Sequence, residues 1–161
     1  MSDREQQATY TAEHELTAVL DRTTPESTLI TVSAFGSRMT LPAPRRFADI
    51  TSIQRYVDAV LDMPQVRSLN TGGRISVRVR KGNTRAHYEP WSSVIAIPDT
   101  RWAMNEIVVL HEIAHHLDPK YGHGPTFRGH LVHLAEVVIA PEVAFYLRAT
   151  FHESGLHVQL P

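Results

Sequence analysis

The chain has 161 residues and a formal net charge of -1, with 42% hydrophobic and 20% charged residues, usage that excludes the disordered and collagen-like classes. A length of this order suits one core, so residues 1–161 are expected to form a single domain. Cysteine is absent, which excludes disulfide frameworks and cysteine-based zinc sites and leaves His, Asp and Glu as the only strong side-chain ligands for a metal.

Taken in chain order, residues 3–21 suit a helix through Glu5, Gln6, Ala8, Ala12, Leu16 and Leu20, stopped at Thr23-Thr24-Pro25 because proline cannot continue it. Leu29, Ile30 and Val32, then Met39-Thr40-Leu41, read as short extended segments around Gly36-Ser37, the pattern of a hairpin. Asp49 or Thr51 can cap a helix of about 51–62 that turns Ile53, Val57, Val60 and Leu61 to a core, and Asn70-Thr-Gly-Gly73 breaks it. Ile75, Val77 and Val79 alternate with Ser76, Arg78 and Arg80, a half-buried strand followed by a turn at Lys81–Thr84. Residues 86–88 and 94–97 are expected to pair with it. Helices then follow over about 101–117, 125–139 and 141–153, the last two opening on Pro125 and Pro141. This order argues for an α+β fold with a small antiparallel sheet, an N-terminal helix over 1–22 and two C-terminal helices.

Six of the ten histidines fall between 111 and 133. His111-Glu112-Ile113-Ala114-His115 is an H-E-x-x-H string. At 100° per residue the two histidines lie about 40° apart on a helix, so both rings reach one ion, and Glu112 lies about 60° further round. That offset suits a general base rather than a ligand. Ile107, Leu110, Ala114 and Leu117, with Val109 and Ile113 beside them, should bury the helix nearly all round. His123, eight residues on and flanked by glycines, is the expected third ligand; Asp118, His130, His133 and Glu136 are the rivals. His116, His130 and His133 are otherwise read as packing or supporting residues. Three protein ligands with an open fourth position are the arrangement of catalytic zinc, and neutral imidazoles favour one Zn2+ ion.

His111-Glu-Ile-Ala-His115 with His123-Gly-Pro-Thr-Phe127 resembles the SprT-like zinc metallopeptidases, zincins that pair H-E-x-x-H with a later H-G-x-x-F. The longer string 108–117, with Arg45-Arg-Phe-Ala-Asp49 and Ala86-His-Tyr-Glu89, is similar to a bacterial family of uncharacterised HExxH metallohydrolases. The resemblance implies that His111, His115 and His123 bind zinc and that Glu112 is catalytic. DNA-linked SprT relatives carry a cysteine zinc ribbon, which this sequence lacks, so a role in crosslink repair is not carried over.

The expected activity is therefore zinc-dependent hydrolysis of a peptide or protein substrate by a metal-activated water, with Glu112 as general base. The alternatives are an amidase or esterase acting on a non-peptide substrate and a noncatalytic zinc-binding module. Arg74, Arg78, Arg80, Lys81 and Arg85 form a basic run, read as a charged outer strand face that discourages edge pairing in preference to a nucleic-acid contact. Tyr88 or His87 could border a substrate groove, with ordinary packing or strand-end exposure the equal alternative and no catalytic role assigned, and Tyr121, Tyr146 and Arg148 are candidates to stabilise an oxyanion, with nothing to select among them. No apolar run approaches the roughly 20 residues of a membrane span, and residues 1–7 do not read as a secretory signal, so a cytoplasmic location is expected.

Overall fold

A computed structural model describes residues 3–24, 26–82, 85–118, 120 and 122–161. The elements run α1 (Asp3–Leu20), β1 (Leu29–Ala34), β2 (Ser37–Pro42), α2 (Ile50–Asp62), α3 (Pro64–Arg67), β3 (Ser76–Arg80), β4 (His87–Glu89), β5 (Val94–Pro98), α4 (Glu106–Leu117), α5 (Pro125–Leu134) and α6 (Pro141–Glu153). The fold is α+β. Backbone contacts divide it into two compact units, residues 45–121 and residues 1–44 with 122–161. Among the described residues no helix is long and apolar enough to cross a membrane.

In the second of these units, α1 buries Thr9, Ala12, Leu16 and Leu20 along one stripe and packs with α6. Pro25, part of the expected stop, lies outside the described residues. β1 and β2 pair antiparallel from Leu29↔Pro42 to Ala34↔Ser37. Their two-residue loop is Phe35-Gly36, with φ of 52° and 70°, the left-handed pair that matches the twist of a tight hairpin. Pro125 opens α5 as expected. The helical path reaches Ile139 but widens to a π-helix over Ala135–Ile139, closed by Ala140 N–H donating to the Ala135 carbonyl at 3.0 Å. Pro141 explains the end: the residue before proline is driven out of the α region, and Ala140 is extended with φ -168°. Phe127, Leu131 and Leu134 of α5 and Val143, Leu147 and Phe151 of α6 are buried, each such side chain contributing about 1.5–3 kcal/mol of transfer free energy.

In the unit formed by 45–121, the strand order is β3-β5-β4, with β5 parallel to β3 and antiparallel to β4. The apolar run 94–97 takes the centre, and Ile95, Ala96 and Ile97 are fully buried. The expected pairing of 86–88 with β3 is not found: β4 pairs with β5 instead. β3 is an edge, so its alternation buries less than expected; Ile75 is buried and Val79 is 50% exposed. The Gln54 amide of α2 covers part of that edge, accepting from Val77 N–H at 2.7 Å and donating to the Ile75 carbonyl at 2.9 Å. Asp49 caps α2 in a reciprocal box with Ser52. Asn83 and Thr84 of the expected turn lie outside the described residues.

Helix α4 begins at Glu106, five residues later than the apolar pattern suggests, because Asn105 is its N-cap and accepts from Ile107 N–H at 2.8 Å. Residues 101–104 form turns. The start is fixed further by Glu106, 2% exposed, which accepts from Tyr56 O–H at 2.7 Å and from Arg45 N–H at 2.8 Å. A carboxylate in a first helical turn also meets the positive end of the helix dipole. Burial and the neighbouring Glu106 charge push the Tyr56 hydroxyl well above the ordinary tyrosine range. Its proton is therefore held more tightly in the folded than in the unfolded chain. That stabilisation is complete below pH ~10 and is lost only as pH climbs above it. Tyr56→Phe should lower the free energy of urea unfolding by about 1.5–3 kcal/mol, the range for a hydrogen bond to a charged group. In the wild type, ultraviolet difference spectra should show at least one tyrosine that does not ionise before alkaline unfolding, and Tyr56→Phe should remove it from the count.

Candidate metal centre

Ten of the twelve residues of α4 are buried, including His111, Glu112 and His116. The i and i+4 spacing brings the Nε2 atoms of His111 and His115 to 3.2 Å, with the rings at 74°. Two ligand bonds of 2.0–2.1 Å at a tetrahedral angle separate their donor nitrogens by about 3.3 Å, so this pair already has the spacing a metal requires. His123 is 5% exposed. One ring nitrogen from each of His111, His115 and His123 lies within 4.8 Å of the other two, and the group can hold a metal ion. It is the only group of three or more such residues found among the described residues, and all three donors are imidazoles.

None of the rivals belongs to this group. Asp118 is the C-cap of α4, and its carboxylate accepts from Lys120 N–H at 3.1 Å. His130 is buried within α5, His133 is half-buried and Glu136 is exposed on the π-helical turn. Gly124 is the N-cap of α5 with φ -72° and ψ -175°, extended backbone that any residue adopts.

His116 is a supporting residue. Its Nε2 lies 3.0 Å from Asn70 Oδ1 and 3.2 Å from the Gly73 carbonyl, and its Nδ1 lies 2.8 Å from the Tyr88 hydroxyl. Two acceptors around Nε2 assign the proton there, so Tyr88 donates to Nδ1. Burial lowers the His116 pKa, in keeping with the neutral ring. A Cβ on Gly72 would stand 2.6 Å from this ring, so only glycine lets the 70–73 turn lie against it. The turn that reads as a helix breaker is thus also a clamp on α4, a role visible only once residues 70 and 116 meet. Tyr88 meets His116, and His87 meets Glu89 at 3.1 Å.

Of the oxyanion candidates, Tyr121 lies outside the described residues. Tyr146 packs edge-on against Phe35 at 5.2 Å, and burial pushes its hydroxyl above the usual range. Arg148 lines a cavity of about 670 Å³ with Phe35, Phe145 and His152. In the basic run, Arg74 pairs with Asp58 and Asp62, Arg78 with Glu89, and Arg80 donates to the Arg85 carbonyl. These contacts fit a charged sheet edge. No family model, curated protein or solved structure matches the chain.

Titration with Zn2+ followed by calorimetry should give one site per chain. His111→Ala, His115→Ala and His123→Ala should each weaken it by more than about 100-fold, beyond the loss typical of residues that merely orient a ligand. His133→Ala and Glu136→Ala should leave the affinity unchanged; a large loss in either would revise the ligand set.

Proposed function

We propose that the chain is a zinc-dependent hydrolase that cleaves peptide bonds, in the manner of the SprT-like peptidases its motifs resemble. The observation that carries this reading is the convergence of three imidazole nitrogens within 4.8 Å, two of them from the helix that also bears Glu112. Three neutral imidazoles suit zinc over harder divalent ions, and three ligands leave a coordination position for a reactant. A bound zinc ion supplies Lewis acidity and lowers the pKa of a water in that position from 15.7 toward about 7.

Glu112 does the proton work. It follows His111 directly on a buried helix and is itself 4% exposed. As general base it takes the proton from the attacking water, and as general acid it passes that proton to the departing amine. Burial of the helix keeps competing solvent away from this transfer and holds both histidines without rearrangement.

Glu112→Gln should keep the metal at wild-type stoichiometry and lose about 10²- to 10⁴-fold in turnover. The assay is a fluorogenic peptide library run beside non-peptide amide and ester panels, so that it also reports which carbonyl is attacked. Wild-type turnover by Glu112→Gln would remove the base from the mechanism, and activity confined to the non-peptide panels would move the substrate class.

A further inference from the structure

His111 and His115 are fixed by their own helix, whereas His123 sits in the bends at 122–124 that precede α5. Its ring is nevertheless tightly bounded. Tyr10 of α1 packs on it with centroids 4.7 Å apart and Phe127 of α5 packs edge-on at 4.8 Å. Its main chain is held by Arg128, whose Nη1 donates to the His123 carbonyl at 2.6 Å.

Arg128 is fully buried, and it reaches three separate segments. Besides His123, Nη1 donates to Thr9 Oγ1 of α1 at 3.3 Å, and Nε donates to the His157 carbonyl at 2.8 Å. Segment 155–161 lies against α5 at the same place: Gln159 N–H donates to the Pro125 carbonyl at 3.0 Å, and a Cβ on Gly129 would stand 1.7 Å from the Gln159 carbonyl oxygen. Sequestering a guanidinium from water is costly, and an apolar side chain would fill the same volume without that cost. The fork geometry of arginine, with donors at fixed angles, is what lets one side chain hold carbonyls from two chain segments at once.

We infer that Arg128 is a positioning residue for the third metal ligand, one that couples the placement of His123 to the docking of α1 and of segment 155–161. Fixing the His123 carbonyl fixes the peptide plane after its Cα, while Tyr10 and Phe127 limit the ring. Together they present the imidazole to a metal without reordering on binding. α1 and segment 155–161 thus act on metal affinity through residues that never touch the ion. The inference rests on His123 being a ligand.

Co2+ is the probe, titrated into the full chain and followed by its visible absorption, which reports both affinity and coordination geometry. Arg128→Gln should weaken binding by about 10- to 100-fold and change the band shape, with Arg128→Lys recovering part of the affinity. Leu147→Ala, which removes a buried side chain of α6 that makes none of these hydrogen bonds or ring contacts, controls for general loss of stability and should bind Co2+ as the wild type does. Wild-type affinity and spectrum in both Arg128 variants would overturn the inference, as would an equal loss in Leu147→Ala. Should neither Arg128 variant fold, Gly129→Ala replaces them. It displaces segment 155–161 while leaving Arg128 and His123 in place, and wild-type Co2+ binding there would overturn the coupling. His123→Ala separates the two readings. If it binds Co2+ normally, the ligand assignment itself fails; if it weakens binding while the Arg128 variants do not, only the positioning role fails.

Discussion

The constraint on which the site depends is the near-complete burial of α4. A helix surrounded by protein cannot leave polar side chains to water, so every charged or polar residue on it must meet a partner or carry a function. Glu106 meets Tyr56 and the Arg45 main chain. His116 meets Tyr88, Asn70 and Gly73. His111 turns its Nε2 onto that of His115, and two imidazole nitrogens facing each other at 3.2 Å form a donor set better matched to a cation than to the core around it.

Adjacent positions on this helix accordingly do opposite things. His115 and His116 are neighbours in sequence, but a rotation of about 100° turns one toward His111 and the other into a hydrogen-bonded recess between β4 and the 70–73 turn. The second histidine locks the helix to its surroundings and so fixes the direction of the first. Rigidity here comes from both ends: Asn105 and Glu106 set where the helix starts, and His116 sets its rotation near the end.

Much of this was legible in the sequence, because helix periodicity is local. The extents of α2 and α6, the existence of the β1–β2 hairpin, though its turn lies one residue before the expected Gly36-Ser37, and the pairing of His111 with His115 all follow from spacing within a few residues. The order of β3, β5 and β4 was not legible. Alternation tells which face of a strand is buried but says nothing of its neighbour, and the parallel pairing of β3 with β5 depends on contacts between distant residues. The late start of α4 was missed because Trp102, Ala103 and Met104 extend the apolar pattern, whereas the cap is decided by the Asn105 side chain and its bridge to Arg46. Gly124 marks His123 for a reason the backbone does not use, since its conformation is open to any residue. Arg128, one position beyond the recognised motif, gave no signal at all, since nothing local marks an arginine as fully buried.

His123 shows why a site of this kind needs more than its ligands. A helix supplies two donors at fixed separation with no ordering cost beyond that of the helix itself. A donor in an irregular segment costs about 1–2 kcal/mol of backbone entropy for each residue fixed, and any part left unfixed must be met when the ion binds. Aromatic packing from Tyr10 and Phe127 restricts the ring, and a hydrogen bond from a buried guanidinium restricts the main chain. Both are formed during folding and independently of the ion. The apolar faces of α1 and α5 therefore serve two ends: they bury hydrophobic surface, and they bring Tyr10, Thr9, Phe127 and Arg128 around one histidine so that its ordering is complete before a metal arrives.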